Sequence, residues 1–90
     1  MAAYTIVTHP VKDFDTWKAS FNQFEPIRKE AGELSAVVLQ HADDLNMVTV
    51  INTWVSIEAF QALFNREELK AGMAEAGVTA PPTIIIGNEA

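Results

Sequence analysis

Ninety residues with twelve acidic side chains, six basic ones, a net charge of −6 and no cysteine describe one small acidic domain, residues 1–90, without disulfides or thiolate metal sites. The bases Lys12, Lys18, Arg28, Lys29, Arg66 and Lys70 include a single adjacent pair, which argues against a nucleic-acid binder or a protein that docks on anionic lipid. Met1-Ala2-Ala3-Tyr4 lacks the charged-then-apolar pattern of a secretion signal, and no apolar run approaches the roughly 20 residues of a membrane helix, so a soluble cytoplasmic protein is expected.

Tyr4 to His9 reads as a strand that Pro10 stops. Asp13 or Asp15 is placed to cap the helix that follows, where a short acceptor satisfies unpaired backbone donors. Phe14, Trp17, Phe21, Phe24 and Arg28 recur at spacings of three and four, which puts an aromatic stripe on one helix face. Pro26 falls inside this pattern and predicts a kink or a restart near Glu25; Gly32 closes the helix. Ser35–His41 and Asn46–Trp54 read as two strands, and the turn formers between them, Ala42-Asp43-Asp44-Leu45, make the pair an antiparallel hairpin. Ser56 caps a helix bearing Ala59, Phe60, Leu63 and Phe64. Asn65 with Glu68 resembles a capping box, predicting a further short helix to about Ala76 that Gly77 terminates and Val78 seals. Pro81-Pro82 leads into a last strand, Thr83 to Gly87.

The order strand, helix, strand, strand, helix, strand predicts a four-stranded antiparallel sheet with its helices on one face, the ferredoxin-like α+β arrangement. Ile6-Val7, Val37-Val38-Leu39, Met47-Val48, Val50-Ile51 and Ile84-Ile85-Ile86 place apolar side chains at adjacent strand positions. Neighbours on a strand point to opposite faces, so both faces need cover, while the helices cover only one. The second cover is expected from another copy of the chain, giving a homodimer.

Few polar residues carry candidate chemistry. His9 and His41 end strands at the same edge of the expected sheet, roughly 9 to 10 Å apart across the third strand, beside Asp43, Asp44 and Asn46. Nothing there has metal-ligand spacing, so two rim histidines beside an acidic turn are expected and no metal site. His9 is also a candidate general base, since histidine titrates near neutral pH and a strand end can open onto a cavity. Asn52 and Trp54 share a strand face with Val48 and Val50. Asn52 then needs a partner, for which Thr8 on the adjacent strand is the expected neighbour, or a ligand. Arg28 extends the aromatic stripe and is expected in a surface ion pair with Glu25 or Glu33, or on an anionic ligand. No nucleophile with its base, phosphate loop, nicotinamide or flavin fingerprint occurs, and no cofactor is expected.

The stretch His9-Pro10-Val11-Lys12-Asp13-Phe14-Asp15-Thr16-Trp17-Lys18, the Asp43-Asp44-Leu45-Asn46 turn, and Asn52-Thr53-Trp54 ahead of Ser56-Ile57-Glu58-Ala59-Phe60 resemble the dimeric α+β barrel superfamily and, within it, its antibiotic-biosynthesis-monooxygenase-like members. The resemblance implies two sheets facing each other across a dimer and a ligand between a sheet and its own helices or inside the barrel. It implies a cofactor-independent monooxygenase, or a related cyclase-like enzyme, acting on an aromatic or polyketide-like substrate. His9 and Asn52 would be the catalytic residues that deprotonate or position the substrate, and Thr8, Trp17, Val50, Trp54 and Phe64 would bind it. Haem-degrading members resemble this chain at Trp54 but carry their iron-binding histidine about ten residues later, where Phe64 stands, so haem degradation is not expected. The alternative is a non-catalytic binding or assembly module on the same fold.

Overall fold

Alternation along the first strand sets the layers of the molecule. In β1 (Ala3–Pro10) the side chains of Ala3, Thr5, Val7 and His9 are buried while those between them are half-buried. The structure is a computed structural model and describes residues 2–90. Val11 leaves the strand, bridges to Val78, and donates from its backbone N–H to the Asn46 carbonyl. Asp13 then caps α1 (Phe14–Gln23), accepting at one carboxylate oxygen from both the backbone N–H of Thr16 and its hydroxyl. Those bonds hold the Asp13 carboxyl below its ordinary value.

The aromatic stripe breaks where Pro26 predicts. α1 ends at Gln23 and α2 (Glu25–Ala31) restarts with Pro26 in its first turn, where a missing N–H costs nothing. Gly32 closes α2 at φ 118°, and a side chain there would meet Val55 at 2.7 Å. β2 (Glu33–His41) and β3 (Asp44–Trp54) form the hairpin, with a turn shorter than expected because β3 already begins at Asp44. Ser56 caps α3 (Ile57–Phe64) through its Oγ on the Ala59 N–H, and α3 buries Phe60 and Leu63, worth about 1.5–3 kcal/mol each. The expected capping box is absent: Arg66 holds the N-cap position of α4 (Glu67–Glu75) without a side-chain cap bond, and Glu68 pairs with Arg66 instead. Gly77 ends α4 at φ 89°, with the Gly77 and Val78 N–H groups returning to the Ala74 and Met73 carbonyls. β4 (Thr83–Asn88) completes the fold. Among the described residues no helix is long and apolar enough to cross a membrane.

The sheet order is β2-β3-β1-β4 with every neighbouring pair antiparallel and the helices on one face, the ferredoxin-like arrangement expected. On the other face Val37, Ile51, Ile6 and Ile85 stand opposite one another in register, one apolar row across all four strands. Val37 and Ile85 are 51% and 59% exposed within the single chain. Under the helices the core is in two clusters. One gathers Val11, Trp17, Val48, Val50 and Ala76, the other Ala3, Trp54, Phe60 and Leu63. Between them, in register, lie Thr5 and Asn52. That polar pair keeps the two clusters from merging.

Candidate functional site

Where the two clusters fail to merge there is a cavity of about 100 Å³. Val7, Val50, Asn52 and His9 form its sheet side, the rings of Trp17, Phe21 and Phe24 one helical wall, and Phe60, Phe64 and Met73 the opposite one. Gly72 belongs to the same wall: the Phe24 ring lies so close to α4 that a Cβ at 72 would meet it at 2.4 Å. The volume is well under the roughly 300 Å³ of ordinary ligand pockets.

The aromatic wall is continuous. His9 meets Trp17 edge-on at 5.6 Å, Trp17 stacks on Phe21 at 5.1 Å, and the Arg28 guanidinium lies 3.7 Å from the centre of the Phe21 ring. Arg28 is not on the surface as expected but 7% exposed. Its Nε donates to Glu33 Oε2 at 3.0 Å, its Nη1 donates to the Phe21 carbonyl, and Glu33 is buried as well. The pair is possible because Gly32 turns the chain sharply enough to bring residue 33 back under residue 28.

Glu33 fixes the rest of the polar row. Asn52 Nδ2 donates to the same Oε2 at 2.8 Å, Thr5 Oγ1 donates to Asn52 Oδ1 at 3.3 Å, and the Trp54 indole N–H donates to Thr5 Oγ1 at 2.9 Å. A carboxylate only accepts, so the Asn52 amide must turn its nitrogen to Glu33 and its oxygen to Thr5. Asn52 therefore has no free carbonyl; what remains is one N–H. Thr8, expected to be its neighbour, lies on the opposite face and shares a hydrogen bond of 2.9 Å with Thr49. It does not line the cavity.

His9 is not the rim histidine expected. It is 4% exposed, and its Nδ1 is the one buried side-chain nitrogen or oxygen among the described residues without a hydrogen-bond partner. Burial lowers its pKa, opposed by the nearby carbonyls of Pro10 and His9 itself. His41 is exposed, bonded at 2.9 Å to the Thr49 hydroxyl on the helix-free face, so the two histidines point away from each other. Among the described residues no group of three or more His, Asp or Glu side chains is placed to hold a metal ion.

A lowered histidine pKa has a defined effect on stability. The native ring stays neutral where the unfolded chain, near pH 6.5, binds a proton. The stability it contributes is thus present above pH 6.5 and lost as the pH falls below it. Melting temperatures at pH 7.5 and 5.5 are expected to differ more for the wild type than for His9→Gln. Equal differences would mean that His9 is not held neutral. Asp13, whose carboxyl is held below 3.8, titrates outside this window.

The cavity brings together His9, Asn52, Trp17, Val50, Trp54 and Phe64 and leaves out Thr8. His9 stands opposite Val48 and Thr5 opposite Asn52, so His9 and Asn52 are four residues apart along the sheet, about 13 Å at the rise of a strand. They address opposite ends of the space. Sequence reasoning missed Thr5 and the part played by Glu33. The one available hint was an acid standing alone at the head of an apolar strand, directly after a helix-ending glycine.

A four-stranded sheet of this order, with its helices on one side and an aromatic cavity beneath them, is the architecture of the dimeric α+β barrel superfamily. The sequence profile of the antibiotic biosynthesis monooxygenases matches residues 6–75, and the chain belongs to that family. No curated protein matches the sequence. Among solved structures, the cofactor-independent oxygenase SnoaB of Streptomyces nogalater superposes with a TM-score of 0.76 at 13% identity, covering 99% of this chain and 95% of that one. The ActVA-Orf6 monooxygenase of Streptomyces coelicolor, solved with nanaomycin D, gives 0.65 at 21% identity, covering 99% and 88%. Rv0793 of Mycobacterium tuberculosis gives 0.72 at 12% identity, covering 100% and 96%. At these identities the likeness is one of fold.

Proposed function

We propose that this chain binds an elongated aromatic hydroxy compound beneath its helices and acts on it as a cofactor-independent monooxygenase, working as a homodimer through its helix-free face. The observation that carries this reading is His9, a buried imidazole that lines an apolar cavity and whose Nδ1 has no hydrogen-bond partner. A neutral imidazole there accepts the proton of a phenolic hydroxyl. The dry aromatic walls disfavour water and leave the aryloxide electron-rich, and the spare Asn52 N–H at the far end binds a carbonyl or second oxygen of the substrate. Dioxygen is then the oxidant: one oxygen atom becomes a carbonyl on the ring carbon para to the hydroxyl. The other leaves as water, taking the hydroxyl proton and the ring hydrogen. The family membership and the activities named for SnoaB and the ActVA-Orf6 protein support this class of reaction.

The cavity volume favours a second reading. At about 100 Å³ it is smaller than the roughly 150 Å³ that holds benzene. Admitting two fused rings requires half-buried Phe24 and Met73 to swing aside, and a chain that never opens would be a binding or assembly module. Oxygen uptake with 1,5-dihydroxynaphthalene decides between them. The enzyme reading predicts one dioxygen consumed per 5-hydroxy-1,4-naphthoquinone formed. Replacing His9 by Gln should lower the rate by about 10²–10⁴-fold, and the wild-type rate should stay level through pH 6.5 and fall only at more acid pH, because burial lowers the His9 pKa. No uptake above buffer would leave the module, and an unchanged rate in the variant would remove His9 as the base.

A further inference from the structure

The geometry points to a ligand with two unlike ends: an aromatic hydroxyl at His9 and a carboxylate that emerges past Phe21 and Arg28 into a second, polar groove. This rests on the reading of the inner cavity given above and adds the chemical class of what fills it. The groove has a volume of about 350 Å³ and lies between α1, α2 and the edge strand β2, with Lys18, Asn22, Glu25 and Lys29 along it. Phe21 and Arg28 line both spaces and form the partition between them.

Three features indicate an anion. The groove collects Lys18, Arg28 and Lys29, half of the six bases of a chain whose net charge is −6. The acids beside them do not cancel this: Glu33 is committed to Arg28 and Asn52, and Glu25 is exposed, leaving two lysines against one carboxylate. Arg28 bonds through Nε and Nη1, so Nη2 is uncommitted and its planar fork suits a carboxylate.

Shape agrees with charge. The series His9, Trp17, Phe21, Arg28 has an imidazole edge-on to Trp17 at one end and, at the other, a buried cation over the face of Phe21. A planar ligand lying along the edges of these rings places its hydroxyl and its acid at those two ends. Phe21 is half-buried, and its rotation would join the cavity to the groove.

Three probes test this: 6-hydroxy-2-naphthoate, the corresponding amide, and 2-naphthol, with affinities from quenching of tryptophan fluorescence. The acid is expected to bind about tenfold more tightly than the amide at low ionic strength. That ratio should fall towards one in the Lys18→Gln/Lys29→Gln variant and, for the wild type, at high salt. Because the ratio is taken within each protein, a general loss of binding does not imitate it. Equal affinities for acid and amide in the wild type, or a ratio unaltered in the variant, would overturn the inference while 2-naphthol binding left the inner cavity standing. Failure of all three to bind would remove the cavity reading and this inference together.

Discussion

Replacing Glu33 by Ala is expected to destabilise the protein by about 3–5 kcal/mol, much of what holds a domain of this size together. The Arg28 side chain is 8% exposed and that of Glu33 2%, so loss of the carboxylate leaves a guanidinium in the interior with no counter-charge. It also strips Asn52 Nδ2 of its acceptor, and the amide is then free to turn over, breaking the bonds that run through Thr5 to the Trp54 indole. The pair Arg28→Met with Glu33→Gln removes both charges and keeps an acceptor for Asn52. It should recover most of the loss, because the penalty lies in the uncompensated charge and not in the absence of a salt bridge. Urea denaturation of the three proteins measures both effects. A Glu33→Ala variant within about 1 kcal/mol of the wild type would show that the buried row is incidental to the fold.

Replacing Ile51 by Asp is expected to split the proposed homodimer. Ile51 sits in the middle of the row Val37, Ile51, Ile6 and Ile85 on the face without helices. In a two-fold dimer closed through that face each substitution enters the interface twice. An unpaired carboxylate buried there costs several kcal/mol, so dissociation should be favoured by at least a hundredfold. Light scattering at micromolar concentration is expected to give a particle of two chains for the wild type and one for the variant. A wild type that stays monomeric and well folded under those conditions would refute the dimer.

How much of this was legible depends on which physical signal each feature leaves in the sequence. The helices were, because an aromatic stripe at spacings of three and four marks a helix face, Pro26 and Gly32 punctuate it, and Gly77 ends α4 as its backbone requires. The sheet order followed from the sequence of elements. What could not be read was which face of β1 lies under the helices. Ile6 and Val7 are equally apolar, so the period-two pattern that ordinarily orients a strand is missing. A one-residue error exchanges Thr8 for Thr5 as the neighbour of Asn52. The same ambiguity hid the depth of His9. Arg28 and Glu33 look like ordinary surface charges, since burial of a charged pair is decided by three-dimensional cover that no local spacing encodes. The box of Asn65 and Glu68 misled because Arg66 took the capping position and engaged the acid.

The strand that carries Thr5 and His9 is the first in the chain and stands near the middle of the sheet, between β3 and β4. Its two partners come from residues 44–54 and 83–88, and the hydroxyl of Tyr4 reaches Glu89, 85 positions away. Pairings of such long range form slowly, since the intervening loops must close before any contact rewards them. During synthesis β1 would find its β3 partner only after residue 54 and its β4 partner only after residue 88. The cover over Thr5 and His9 would then be completed late in folding.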